Sequence, residues 1–452
     1  MIQSSEARAE WQGWLAFVAA LLAYVALAWR AVHIIGRVDW EALASTARAY
    51  EATHATGSLN LSLMGFGDPP LPVLLQVPLV YLNPAWATQG LAASLVSAIA
   101  GALAVLVVWK LLREAGLGYA ATWALLVLLG ANPVWLAACT TGSKMALVGL
   151  FAAVAGLAMI RWVRDGTLRD LVVLALAASA APMAAFEAVG LPVAAAAVVL
   201  AILARRRRGA GEVEGTLVTL LLPVAYVAGL WLFTSWIILG DALYFAHQMS
   251  HPALAWRLSL VLLGLCAGLL ACSWLAARPR LPRGLVGLVC VAALATLVGA
   301  GTSAEPGQPR LAHGYGFLRS TVGAGDARTV EHVAKMALAS TDGKRVLVDS
   351  PLDFAVRLLS GQPERFVRAA EFRRAVSADQ RPLDVVSYVL TEGGLPGAEL
   401  NVLLAGHALV PVWQEGGWRL YEILPAGAGL EEDPGHSSAS GRHVGVGGEY
   451  TP

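Results

Sequence analysis

Charge is what this chain lacks most. Of its 452 residues only 14% are Asp, Glu, Lys or Arg, whereas 57% are hydrophobic and the mean hydropathy is +0.62. No water-soluble domain needs that much apolar surface, so the shortage excludes the ordinary soluble classes and marks a multi-spanning membrane protein. A net charge of +1 gives no ground for a nucleic-acid partner. Cysteine is scarce too. Cys139, Cys266, Cys272 and Cys290 lie in or beside apolar segments, at no metal-ligand or disulfide-framework spacing, and read as small core or lipid-facing residues. No small-x-small cleavage site follows the run from Trp11 to Trp29, which is long for a secretory segment and reads as an uncleaved first span. No internal repeat is present.

What the chain does have is long apolar runs. A bilayer core takes roughly 20 such residues per helix, and nine segments qualify, near 11–31, 87–109, 118–137, 145–162, 169–185, 188–204, 216–238, 257–277 and 284–301. The run Leu71 to Leu82 is shorter and carries Pro72 and Pro78, which suits a short interfacial or re-entrant helix. Basic residues orient the array. One side holds Arg8; Lys110 and Arg113; Arg161, Arg164 and Arg169; Arg205 to Arg208; and Arg278, Arg280 and Arg283. The other holds only Arg30, Arg37, Arg48, Lys144 and Arg257, so the count is thirteen cations against five. The positive-inside rule then puts the amino terminus in the cytoplasm and the region after the ninth span outside. The quartet Arg205 to Arg208 is a stop-transfer anchor on this reading.

After residue 301 the composition changes. "KRVLVDS" reads as a strand, "PLDFAVRLLSG" as an amphipathic helix closed by Gly361, and "VVSYVLTE" and "LNVLLAG" as further strand or buried segments. "LVPVWQEGGWRLYEI" alternates on both sides of Gly416-Gly417, as a hairpin does. The expected organisation is a transmembrane domain over 1–301 with a long first outer loop at 32–86. An extracytoplasmic α/β domain follows over 302–424, and a disordered tail over 425–452. The fold class expected is a polytopic α-helical membrane protein of about nine spans with that α/β domain at its carboxyl end.

All polar candidates fall on the outer side. In "VDWEALASTARAYE", Asp39 is placed to cap a helix running to about Thr53, and Trp40, Leu43, Ala44, Ala47 and Tyr50 make an apolar stripe along it. Such a helix would lie along the headgroup layer with Asp39 and Glu41 in its first turn. A low-dielectric boundary raises carboxylate pKa values, which suits a base, although a cap with a favourable first-turn charge explains the same residues. Asp68 stands at the turn in "MGFGDPPLPVLLQVPL". Lys144, at the outer mouth of the fourth span, and Arg257, at the start of the eighth, read either as anion ligands or as snorkelling interfacial cations. His247 and His251 are four apart and read first as an interfacial polar pair, the spacing also being compatible with a metal or donor-phosphate role. Glu187 is isolated and would either bind an acceptor or be solvated.

The order of several of these features resembles the GT-C superfamily of membrane glycosyltransferases, which includes the aminoarabinose transferases and protein O-mannosyltransferases. The features are an acid opening an interfacial helix after span one, "PPL" some thirty residues on, and a long second span. "LGDALYFAHQMSHPALAWR" is similar to the "GDPxxF" loop of bacterial relatives, and "GKRVLVDSPLDFAVRLLSGQPERFV" with "GGWRLYEI" to their outer domain; the likeness covers roughly residues 10–424. It implies an inverting transferase in a prokaryotic inner membrane, taking a sugar from a polyprenyl-phosphate donor to a glycan, lipid or protein acceptor on the outer face. Asp39 matches the family's first-loop acid and would be the base, with Glu41 as the alternative. Lys144, with Arg37 or Arg257, would meet the phosphate, whose developing charge needs a cation or amide donors.

Three departures stand out. Trp40 separates Asp39 from Glu41 where relatives often have adjacent acids, Asp68 precedes the "PP" where they often have a base, and "TTGSK" lacks an acid often found there. A divalent metal bridging Asp39 and Asp68 would rationalise the second, and so would a different donor or a lost activity. Two rivals remain: a catalytically inactive accessory subunit keeping the fold, and a transporter of lipid-linked sugars. Transporters usually carry ionisable groups near the midplane of their spans, and these spans are nearly free of them.

Overall fold

A computed structural model describes residues 2–36, 38–54, 65, 68–206, 209–244, 268, 296, 325–350, 352–377, 381–392, 396–415 and 417–425. The chain divides into two compact units, Met1–Ala334 with Phe354–Pro363, and Lys335–Asp353 with Glu364–Pro452.

The first unit is helical: α1 (Ile2–Arg30), α2 (Trp40–His54), α3 (Pro70–Leu82), α4 (Ala85–Thr88), α5 (Leu91–Glu114), α6 (Tyr119–Gly130), α7 (Pro133–Thr140), α8 (Met145–Asp165), α9 (Leu168–Ala184), α10 (Gly190–Arg205) and α11 (Ala210–Leu239). Among the described residues five stretches are long and apolar enough to cross a membrane: Glu10–Ile35, Leu91–Glu114, Met145–Asp165, Phe186–Arg205 and Ala210–Leu239. The expected span at 118–137 is broken, because α6 and α7 meet at 63°. Asn132 caps α7 by accepting from Val134 N–H at 3.0 Å and Trp135 N–H at 3.2 Å, and Pro133 occupies the first helical position, so the chain restarts rather than continues. The expected span at 169–185 is a 17-residue helix, about 25 Å long, with Pro182 inside it. The expected spans at 257–277 and 284–301 lie outside the described residues.

The most enclosed of these is α5. Ala92, Ala93, Ser94, Ser97, Ala98 and Gly101 are small, so α1, α7 and α8 approach its backbone closely. A Cβ at Gly101 would collide with Cys139 Sγ on α7. α5 and α8 run in the same direction. At their carboxyl ends Arg161 and Arg164 bond Glu114, at 3.0 and 2.6 Å. Their amino ends lie one helix length away, about 35 Å along α5, and there α2, α3 and the 141–144 loop gather. The candidate polar residues therefore sit at the end opposite the basic one.

The second unit contains a five-stranded sheet of order β2-β1-β3-β5-β4, made of β1 (Val346–Asp349), β2 (Phe366–Arg368), β3 (Tyr388–Glu392), β4 (His407–Glu415) and β5 (Trp418–Pro425). β1 is parallel to β2 and β3; β5 is antiparallel to β3 and β4. Leu347, Phe372, Val389, Leu400 and Ile423 pack its core. "LNVLLAG" falls in a helix, Ala398–Leu403, rather than a strand, in keeping with its Leu and Ala content.

Candidate functional site

The site is built around the first turn of α2. Asp39 donates its N–H to Thr141 O at 3.0 Å, and its Oδ1 accepts from Glu41 N–H at 2.9 Å and, more weakly, from Ala42 N–H at 3.5 Å. It is therefore the cap of α2 and the anchor of α2 to the 141–144 loop. Gly142 makes that docking feasible. Its φ is +91°, and a Cβ there would stand 2.8 Å from Ala42 Cβ and 3.0 Å from Ala93 Cβ.

Once the loop is docked, Lys144 lies between two carboxylates. Its Nζ is 2.8 Å from Glu41 Oε2, 3.1 Å from Glu41 Oε1 and 3.5 Å from Glu187 Oε1. Glu187 comes from the 3₁₀ turn Phe186–Val189 after α9. Burial pulls the ammonium pKa down, but the charges of Glu41 and Glu187 outweigh it, so Lys144 stays protonated well above the usual lysine range. Asp39 behaves oppositely. Burial, and then the neighbouring Glu41 charge, push its carboxyl from 3.8 up to about 6, against the pull of Lys144 and of the two backbone N–H groups.

α3 supplies the facing wall. Asp68, just before Pro69-Pro70, pairs with Arg48 on α2. An open cleft of about 460 Å³, counting space shared with solvent, is lined by Glu41, Ser45, Arg48, Asp68, Pro72 and Lys144 among others. Glu41, Ser45 and Arg48 are spaced i, i+4, i+7 and so share one face of α2. Behind that face Gln76 of α3 is buried, and it donates to Ser45 Oγ at 2.8 Å and accepts from Thr46 Oγ1 at 2.5 Å. The apolar stripe expected on α2 is thus only part of what is covered. Ser45 and Thr46 are buried too, because α3 offers them a polar partner.

Of the residues singled out in the sequence, Asp39, Glu41, Lys144 and Glu187 come together, and Asp68 lines the same cleft as Glu41 and Lys144. Glu41 lines the cleft; Asp39, half-buried, is not among its lining residues. Arg37, Arg257, His247 and His251 lie outside the described residues. Glu51, the third acid of the opening stretch, pairs with Arg357 at 3.4 Å within the first unit. Sequence reasoning missed Arg48 and Gln76. The signal for Arg48 was its spacing from Glu41, and for Gln76 its solitude in an apolar helix. Among the described residues no three His, Cys, Asp or Glu side chains cluster as a metal needs, and Glu41 and Asp68 each have a cation partner. This donor set does not suit a resident divalent ion.

No family model matches the chain, and no curated protein matches it in sequence. Solved structures do match in fold. ArnT from Cupriavidus metallidurans bound to undecaprenyl phosphate is 14% identical, with a TM-score of 0.55 over 91% of this chain and 98% of that one. The same protein in the apo state gives 13% and 0.54 over the same shares. At these identities the likeness establishes the fold alone.

Proposed function

We propose that this protein transfers a sugar from a polyprenyl-phosphate donor to a glycan, lipid or protein acceptor, on the extracytoplasmic face of a prokaryotic inner membrane, with inversion. The observation that carries the reading is the juxtaposition of a carboxyl raised to about 6, Asp39, with the Glu41–Lys144–Glu187 cluster, of which Glu41 and Lys144 line a cleft. It occurs in a chain whose fold is shared by an ArnT structure bound to undecaprenyl phosphate.

In the proposed step an acceptor oxygen or nitrogen bonds to the anomeric carbon from the face opposite the phosphate. The bond from that carbon to the phosphate oxygen breaks, and its electron pair departs with the polyprenyl phosphate. The acceptor's proton passes to Asp39. With a pKa of about 6 that carboxylate is roughly nine-tenths ionised at pH 7, and it is more basic than an ordinary aspartate. Glu41 is the lesser candidate because Lys144 already holds it. Lys144 and Arg48 are the cations of the cleft, and each would exchange a carboxylate partner for the donor phosphate. No metal takes part in this scheme.

One observation favours a second reading, a non-catalytic subunit: Asp39 spends one oxygen on capping α2, and both cleft cations are already paired. The Asp39→Asn variant decides. It keeps the cap and removes the base, so transfer from a labelled polyprenyl-phosphate sugar in membranes should fall by about 10²–10⁴-fold. Full activity in this variant with loss in Glu41→Gln would move the base to Glu41. No transfer by the unaltered protein across a donor panel would establish the non-catalytic reading.

A further inference from the structure

The α3 sequence PLPVLLQVPLVYL is apolar but for Gln76 and the phenol of Tyr81. Gln76 is only 1% exposed, and burying an amide there without partners would carry a desolvation penalty that leucine or methionine avoids. The partners are present on both sides of the amide. Nε2 donates to Pro72 O at 3.0 Å and to Ser45 Oγ at 2.8 Å, while Oε1 accepts from Thr46 Oγ1 at 2.5 Å. Pro72 O can only accept, which fixes the amide's orientation. Ser45 Oγ donates to Ala42 O in its own helix at 2.8 Å and so is free to accept from the amide, while the single hydroxyl proton of Thr46 is shared between Ala42 O, also at 2.8 Å, and Gln76 Oε1. What the amide adds is a two-point tie between α2 and α3, through Ser45 and Thr46, with the bond to Pro72 O holding the amide in place within α3.

Those two helices are the walls of the cleft. α2 brings Glu41, Ser45 and Arg48; the turn into α3 and its first residues bring Asp68, Pro69 and Pro72. An apolar contact would let the walls slide, whereas hydrogen bonds of fixed length and direction do not. We propose that Gln76 is a positioning residue. It touches no substrate and sets the separation and register of the two walls, and so the geometry in which Arg48 and Lys144 meet the donor phosphate. This rests on the transferase reading above. Its consequence is specific: losing the tie weakens capture of the phosphate more than it slows the chemical step.

The test uses the full chain in lipid nanodiscs, with undecaprenyl phosphate as the binding probe. Gln76→Met conserves volume and removes all three bonds. Hydrogen exchange should speed up in α2 while α5 is unchanged. Undecaprenyl-phosphate affinity and donor KM should worsen by on the order of tenfold, with kcat moving less than about threefold. Gln76→Glu covers the case in which the methionine variant does not fold. Its buried carboxyl can still donate one bond when protonated, so its donor KM relative to the unaltered protein should climb as pH rises from about 6 to about 9. Unchanged α2 exchange in Gln76→Met overturns the proposal, as does loosened α2 with affinity and KM held within about twofold. A flat pH ratio in Gln76→Glu overturns it too. If the unaltered protein neither binds undecaprenyl phosphate nor transfers sugar, the transferase reading fails, and with it the donor-phosphate role. The tie itself is then decided by the exchange data alone.

Discussion

Replacing Asp39 with Asn should make the protein more stable and less active at once. The folded state raises this carboxyl from 3.8 to about 6, chiefly by burial and by the Glu41 charge, so folding disfavours its ionised form. A raised folded pKa contributes stability that is complete below about pH 4 and is lost as pH climbs through about 6. The interval corresponds to about 3 kcal/mol at most, and partial solvent access at Asp39 reduces it to about 1–2 kcal/mol. Asparagine caps a helix as well as aspartate does and carries no charge. The variant and the unaltered protein should therefore melt together at pH 4. At pH 8 the variant should melt about 1–3 °C higher for a chain of this size. Apparent Tm across pH 4–8 in one detergent, alongside the transfer assay, reads both effects. A variant that is less stable at pH 8, or a stability difference independent of pH, would refute the claim that Asp39 holds a penalised charge. Retained transfer would refute its role as base.

Three further outcomes follow from the same geometry. Lys144→Gln strands Glu41 and Glu187 beside each other, and should cost about 1–3 kcal/mol of stability, less than a fully buried pair would lose; donor KM should also rise. Arg48→Ala removes a cleft cation and frees Asp68, so undecaprenyl-phosphate affinity should drop by about tenfold or more, with a smaller effect at high salt; unchanged affinity would take Arg48 out of the site. Gly142→Ala places a Cβ at positive φ against Ala42 and Ala93, and should destabilise by about 1–3 kcal/mol and widen the α2–loop contact. Thermal melting and exchange at α2 would show both.

Reading the sequence alone worked where the physics is local. Asp39 before an apolar-polar run is a cap, and α2 opens there. Alternation around Gly416-Gly417 is a hairpin, and β4 and β5 pair across that point. It was coarser where two rules competed within a few residues. The run at 118–137 is apolar enough for one span, but Asn132-Pro133 restarts the helix at an angle. "LNVLLAG" reads as a strand or buried segment, but its leucine-rich run folds into the helix Ala398–Leu403.

Hydropathy and charge asymmetry need no partner to be read, so the membrane class and the basic end of the bundle were determined by sequence. The meeting of Lys144 with Glu41 and Glu187, 103 and 43 residues away, and of Gln76 with Ser45 and Thr46 was decided only by tertiary packing. An ion pair or a buried amide is defined by distance in space. That distance is set by small-residue contacts at Gly142 and along α5, which no periodicity in the chain announces.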